Sequence, residues 1–267
     1  MKWGKVVLVV FGAVVITALG IDASDTFTGS SGTLLSQVIS KDSGKCPQGM
    51  SVVENISSVT CIDIYENSVG EACPMENPEQ MLATIKNVEA SSCTSVSKKD
   101  ALPWRFITRD QAMQMCARSG KRIPTNGEWY ALSLGMSDTE NNCNVREKDV
   151  SKTGAKTACV SPHGAYDLVG NVWEWVSDDV KNGEYNSSQV PDSGYVAQVD
   201  TEGMAVLVDE NPQVLFGKDY FWSKKDGVYG IIRGGYYDSD SDAGVYTVHA
   251  DTLPTTASIG IGFRCIK

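Results

Sequence analysis

Residues 232–265 read IRGGYYDSDSDAGVYTVHADTLPTTASIGIGFRC, two firm motifs, Ile232–Tyr237 and Ile261–Cys265, around a soft middle. None of the 26 residues from Tyr236 to Ile261 is Lys, Glu, Gln, Met or Trp, whereas those five types make up 51 of the other 241 residues. An independent draw would leave such a gap roughly a few times in a thousand. Most of the stretch has neither helix nor strand period. Its short polar side chains suit an irregular exposed surface.

Upstream, Thr108 with Gln111 and Thr125 with Glu128 have capping-box spacing, each before a short apolar stripe. They predict one helix over Arg109–Ser119, stopped by Gly120, and a second beginning after Thr125 and continuing past Gly135 to Met136. Strands are expected at Ser51–Ile56, Thr60–Glu66, within Asp167–Asp178, and at Tyr229–Gly235, Val245–His249 and Gly262–Lys267. Lys181–Asp226 is rich in turn residues and reads as a long insertion with at most one hairpin. Two helices beside many short strands give an α+β class with much irregular backbone.

At 267 residues and 42% apolar content the chain can bury a real core. A net charge of -10 without a Lys/Arg cluster argues against nucleic acid as a partner. Met1–Lys5 is basic and Val6–Ile21 apolar, so residues 1–23 are expected to be a cleaved signal peptide or a retained N-terminal membrane anchor. Residues 24–45, rich in Ser, Thr, Gly and Asp, read as a linker or stalk, and residues 46–267 as the folded domain. The expected location is therefore extracellular or on the cell surface.

Eight cysteines, no Cys-x-x-Cys and only His163 and His249 favour a disulfide framework over a metal site. Pairing is not deducible from sequence. Proximity suggests Cys46 with Cys61, Cys73 with Cys93 and Cys143 with Cys159, which would leave Cys116 with Cys265.

In order, KRIPTNGEWYAL (Lys121–Leu132), GNVWEW (Gly170–Trp175), IRGGYY and IGFRC resemble the C-type lectin fold of the formylglycine-generating enzyme type. CPQGM and CIDIYENS resemble its start, so the likeness covers Cys46–Lys267. The resemblance implies a C-type lectin fold with two helices, short antiparallel strands and much loop. It also implies two kinds of protein. The enzymes hold copper on two cysteines in the loop after the Gly-Gly. Here the matching positions are Ser239 and Gly244, neither a thiolate ligand. The remaining cysteine of that region, Cys265, matches the family's disulfide residue, with Cys116 as its implied partner.

The other kind is the variable protein of a diversity-generating retroelement, whose C-terminal segment is rewritten at adenines. This chain resembles that group at RGG, at Ala243–Val245 and at IGFRC. Rewriting the adenines of an AAY codon yields Asp, Ser, Thr, Tyr, His, Ile, Gly and others, but never Lys, Glu, Gln, Met or Trp. The gap acquires a mechanism.

The resemblance thus implies a non-enzymatic ligand-binding protein with no catalytic residues, no metal and no cofactor. The expected ligand positions within 233–265 are Tyr236, Asp238, Ser239, Asp240, Asp242, His249, Asp251, Thr252, Thr256, Ser258, Ile259 and Gly260. Tyrosine supplies rigid contact area and Asp, Ser, Thr and His adaptable hydrogen bonds, the chemistry of antibody paratopes. The expected partner is a protein or glycan on another cell or virion. The alternatives are a formylglycine-generating oxidase or a constant structural surface module.

Several residues are expected to be structural. Tyr237, Val245, Tyr246 and Val248 read as core, as do Trp129, Trp173 and Trp175. Arg233 and Arg264 should brace the two ends of the segment through carboxylate or carbonyl contacts. Asp167 and Glu174, with the carbonyls of Gly170 and Val172, resemble a structural calcium site of the enzymes; a satisfied buried carboxylate is the expectation here. His249 and Asp251 with a serine read as composition, not a hydrolytic triad.

Overall fold

A computed structural model describes residues 46–136 and 141–267. The expected signal or anchor (1–23) and linker (24–45) lie outside the described residues. The chain divides into a short unit ending at Pro47 and a compact unit, Gln48–Lys267. No helix among the described residues is long and apolar enough to cross a membrane.

In the compact unit, β1 (Met50–Val52) and β2 (Cys61–Asp63) form a small antiparallel pair, as do β3 (Asn67–Val69) and β4 (Ser95–Ser97). Between β3 and β4 lies α1 (Met81–Glu89), followed after β4 by α2 (Arg109–Arg118) and α3 (Asn126–Ser133). Both expected capping boxes are present: Gln111 N donates to Thr108 Oγ1 at 3.3 Å and Glu128 N to Thr125 Oγ1 at 3.2 Å. The second helix is shorter than expected, because Gly135 (φ +82°) turns the backbone left-handed before Met136. The sequence reading of two helices is one short among the described residues. α1 buries Ala83, Thr84 and Asn87, so its inward side shows no apolar stripe.

The main sheet then follows: β5 (Trp173–Lys181), β6 (Glu184–Tyr185), β7 (Ser188–Gln189), β8 (Gly194–Val199), β9 (Ala205–Asp209), β10 (Tyr220–Ser223), β11 (Val228–Arg233), β12 (Val248–Thr252) and β13 (Ile261–Gly262). Its order is β7-β6-β5-β11-β12-β10-β8-β9, with β13 paired to β5. Two expectations are corrected here. The sheet is mixed, since β10 pairs β12 and β13 pairs β5 in parallel. The 181–226 region is not a loose insertion: it supplies β6–β10, and its turn residues fall between strands.

Two cores sandwich the sheet. Ile231, Val176, Val180, Phe221, Val248 and Ala250 pack into one with Trp129 and Leu132 of α3. Trp173, Trp175 and Ile232 pack into the other with Ala112, Met115 and Cys116 of α2 and with Phe263. Alternating strand side chains are thus buried on both sides, which is why Trp173, Trp175 and Val176 of β5 are all buried. Disulfides join Cys73 to Cys93, Cys143 to Cys159 and Cys116 to Cys265; Cys46 and Cys61 are also disulfide-bonded, so no cysteine is free.

Candidate ligand-binding face

Two buried arginines fix the ends of the segment. At the start, Arg233 donates to Val245 O (2.8 Å), Gly203 O (3.0 Å) and Asn126 Oδ1 (3.2 Å), and its guanidinium lies over Trp129. At the end, Arg264 donates from Nε to both Glu174 oxygens (2.7 and 2.8 Å) and from Nη1 and Nη2 to the carbonyls of Asp63 (3.0 Å) and Tyr166 (2.7 Å). Both braces match the sequence reading. Burial holds Arg233 below its ordinary range, to about 10, with Asp219 foremost among the groups that oppose it.

Between the braces, Gly234 and Gly235 hold φ +91° and +88°. A Cβ on Gly234 would meet Leu168 O at 2.1 Å, and one on Gly235 would meet Ala243 Cβ at 2.3 Å. Ala243, Gly244 and Val245 are buried, as are Tyr237 and Val248, while Tyr246 is half-buried. These form a frame under the segment. Thr247, also buried, donates to Asp242 O at 2.6 Å.

The twelve candidate positions lie largely above that frame. Asp238, Asp240 and Ile259 are exposed; Tyr236, Ser239, Asp242, His249, Asp251, Thr252, Thr256 and Ser258 are half-buried. Gly260 is buried under the Tyr236 ring, and its carbonyl accepts from Trp173 N at 2.8 Å. His249 and Asp251 point to one side of β12, their side chains 2.9 Å apart. Burial and Asp240 push the Asp242 carboxyl up, with His249 opposing; its imidazole and the nearby Lys224 hold Asp251 down against burial. Asp242, His249 and Asp251 thereby share one neighbourhood, and Trp173, edge-on to His249 and donating to Gly260 O, links it to Gly260 and Tyr236. Thr252 lies beyond a register shift in β12: it pairs with Gly230 as His249 pairs with Ile232, so it keeps the side of the sheet that His249 faces. Asp240 turns away to pair with Arg146.

Aromatic residues missed in the sequence continue this face. His249 stacks on Trp222, centroids 3.9 Å apart and rings 1° from parallel, and meets the edge of Trp173 at 4.8 Å. Tyr220 follows at 4.6 Å from Trp222, and Tyr195 at 5.0 Å from Tyr220. Their signal was the alternation Tyr220-Phe221-Trp222, with Phe221 buried to the other side.

Below the face sit three buried carboxylates, Glu66, Asp167 and Glu174. Glu174 is fully engaged by Arg264 and by Trp129 Nε1 at 2.8 Å, as expected of a satisfied carboxylate. Glu66 accepts from Asn171 Nδ2 (2.6 Å) and Val172 N (3.2 Å), and Asp167 from Gly154 N (2.6 Å). Burial pushes Asp167 up to about 6 and Glu66 well above its ordinary range, with the neighbouring carboxylates adding to Glu66.

The positions matching the enzymes' copper cysteines do not fit that metal. Ser239 Oγ accepts from Tyr236 N at 3.0 Å, and a Cβ on Gly244 would sit 2.1 Å from Asp219 Oδ1. Asp219 is itself buried and accepts from Tyr246 N at 2.7 Å. With every cysteine in a disulfide, no thiolate pair is available.

The family described as Sulfatase-modifying factor enzyme 1-like domain matches residues 56–267. The chain belongs to this family. Among curated proteins, the chain is similar to a formylglycine-generating enzyme of Streptomyces coelicolor, 25% identical over 61% of this chain and 52% of its own length. The formylglycine-generating enzyme of Mus musculus is 29% identical over 32% of this chain and 29% of its own. A protein named Serine/threonine-protein kinase pkn1, from Chlamydia pneumoniae, is 29% identical over 55% of this chain but only 21% of its own length. The chain thus spans about a fifth of that relative.

Among solved structures, the Major Tropism Determinant I1 Variant covers 83% of this chain and 52% of its own, with 17% identity and a TM-score of 0.46. Treponema denticola variable protein 1 covers 83% of this chain and 92% of its own, with 13% identity and a TM-score of 0.43. The family's C-type lectin-like fold is the one the four motifs implied.

Proposed function

We propose that this chain is a non-enzymatic ligand-binding protein displayed outside the cell, with the face over 236–260 as its binding surface and that surface as the product of adenine-directed rewriting. One observation carries the reading. The residues that lack five side-chain types are mostly those exposed or half-buried above a frame of buried ones, so chemistry can change on top while Arg233, Ala243–Val245 and Arg264 hold the fold. Exposed substitutions away from such anchors cost about 0.5 kcal/mol or less. Disulfide-bonded cysteines support an oxidising location, and residues 46–267 are the displayed module. The ligand is carried by another cell or virion.

The neighbouring DNA tests the rewriting. It should hold a near-copy of the segment, rich in AAY codons, beside a reverse transcriptase gene. An intact locus without that copy, or related isolates with an invariant Tyr236–Gly260 stretch, sinks it. Oxygen consumption on a sulfatase-derived cysteine peptide with copper would instead establish an oxidase.

A further inference from the structure

We infer that the ligand face has a fixed half, an aromatic ridge of Tyr195, Tyr220 and Trp222 on β8 and β10, and that the ridge and the segment beside it dock a protein surface carrying basic side chains. The inference rests on the binding reading above and names what that face takes.

The ridge is contiguous with the segment by strand pairing. Tyr220 faces Tyr195 across β10 and β8, and Trp222 faces His249 across β10 and β12. From His249 the line of rings passes to Trp173, whose backbone N–H holds Gly260 O beneath Tyr236. All three ridge residues are half-buried and lie outside the rewritten stretch. Tryptophan is also among the five types that an AAY codon never yields, so Trp222 belongs to the constant scaffold while its stacking partner at position 249 belongs to the changing half.

The geometry selects the class of ligand. A sugar ring binds by lying flat on an open aromatic plane. Here His249 covers one face of Trp222, and Tyr220, Tyr195 and Trp173 meet their neighbours at tilted or edge-on angles, so the ridge rings do not share one extended plane. Ring edges beside polar tips are the contact chemistry of protein interfaces, where Tyr and Trp anchor packing and hydrogen-bond at the rim. The rim is acidic. Asp242 and Asp251 border it beside His249, with Lys224 near Asp251, and Asp238 lies further along near Tyr237 together with Arg105, in a chain of net charge -10. Such a rim attracts Lys and Arg, whose aliphatic stems can lie along the ridge.

The test displays the full chain with the twelve candidate positions randomised and selects it separately on two immobilised probes, lysozyme as a basic protein and mannan as a neutral polysaccharide. Binders to lysozyme should emerge, and Tyr220→Ala or Trp222→Ala in the selected clones should weaken Kd by about tenfold or more at an unchanged unfolding midpoint. Where Trp222→Ala does not fold, Tyr195→Ser and Tyr220→Ser carry the same measurement. Lysozyme binders indifferent to all these changes, or binders arising on mannan instead, overturn the inference and leave the binding reading standing. No binder on either probe overturns both.

Discussion

The guanidinium of Arg264 meets the carboxylate of Glu174 at 2.6 Å, Nη2 to Oε1, with both side chains shut away from solvent. The pair ties the last strand to the central strand β5, and Trp129 Nε1 completes the shell of Glu174. Removing either partner strands a charge in the core. Arg264→Met is expected to cost about 3–5 kcal/mol in urea denaturation. Adding Glu174→Gln should restore part of that loss, because the orphaned carboxylate goes with it. Strictly additive losses would count against the pair as the brace.

Asp167 makes the stability of the domain depend on pH. Its folded-state pKa is raised to about 6 from 3.8, so its contribution is fully present below about 4 and is lost as pH rises through 6. The shift corresponds to about 3 kcal/mol, and Glu66 shifts in the same direction. Asp167→Asn keeps an acceptor for Gly154 N and tolerates the positive φ of this position, +61°. The variant should therefore melt higher than the parent at pH 7.5 and no higher at pH 4. An equal change at both pH values would exclude titration at this site.

Positions 236 and 260 should not vary independently. A Cβ on Gly260 would lie 2.7 Å from Cδ2 of Tyr236, a half-buried ring that must move to admit it. Gly260→Ala alone is expected to cost about 1–3 kcal/mol. In the Tyr236→Ala background the same change should cost at least about 0.5 kcal/mol less. A double-mutant cycle by thermal denaturation reads the coupling directly. In natural copies, side chains larger than Gly at 260 should accompany small ones at 236.

The contrast between Ser239 and Gly244 gives a fourth expectation. Ser239→Cys replaces a half-buried hydroxyl and should shift stability by about 1 kcal/mol at most. Gly244→Cys drives a Cβ into the Asp219 carboxylate, 2.1 Å away, and should cost about 3 kcal/mol. The double variant is accordingly expected to bind no copper as a folded protein, which metal analysis after size exclusion would check.

The parts of the fold legible in the sequence were those whose cause is local. Thr108 with Gln111 and Thr125 with Glu128 state their helices outright, and RGG and IGFRC mark buried arginines beside tight turns. α1 was illegible because its inward side is Thr84 and Asn87, which bond to Trp104 Nε1 and to the backbone of Met75. The ridge was hidden for a different reason. Tyr195 and Tyr220 become neighbours only through β8–β10 pairing, and Trp222 and His249 only through the parallel pairing of β10 with β12, which sets Phe221 opposite Val248, 27 residues along the chain. The alternation Tyr220-Phe221-Trp222 marks a strand with two faces but does not say which strands it pairs with. Within the segment, mostly a run without helix or strand period, the sequence did not reveal that β12 continues to Thr252 or that a register shift lies between His249 and Thr252.

The bond between Cys116 and Cys265 closes 149 residues of chain, from α2 to almost the last residue. Within that loop lie β5 to β13, the aromatic ridge and the whole 236–261 segment. A protease that nicks an exposed turn there, around Val214 and Leu215 for instance, cuts the chain without releasing a fragment. The two pieces stay covalently joined and most of the sheet's hydrogen bonds stay made. A clipped copy would therefore still present the 236–260 face.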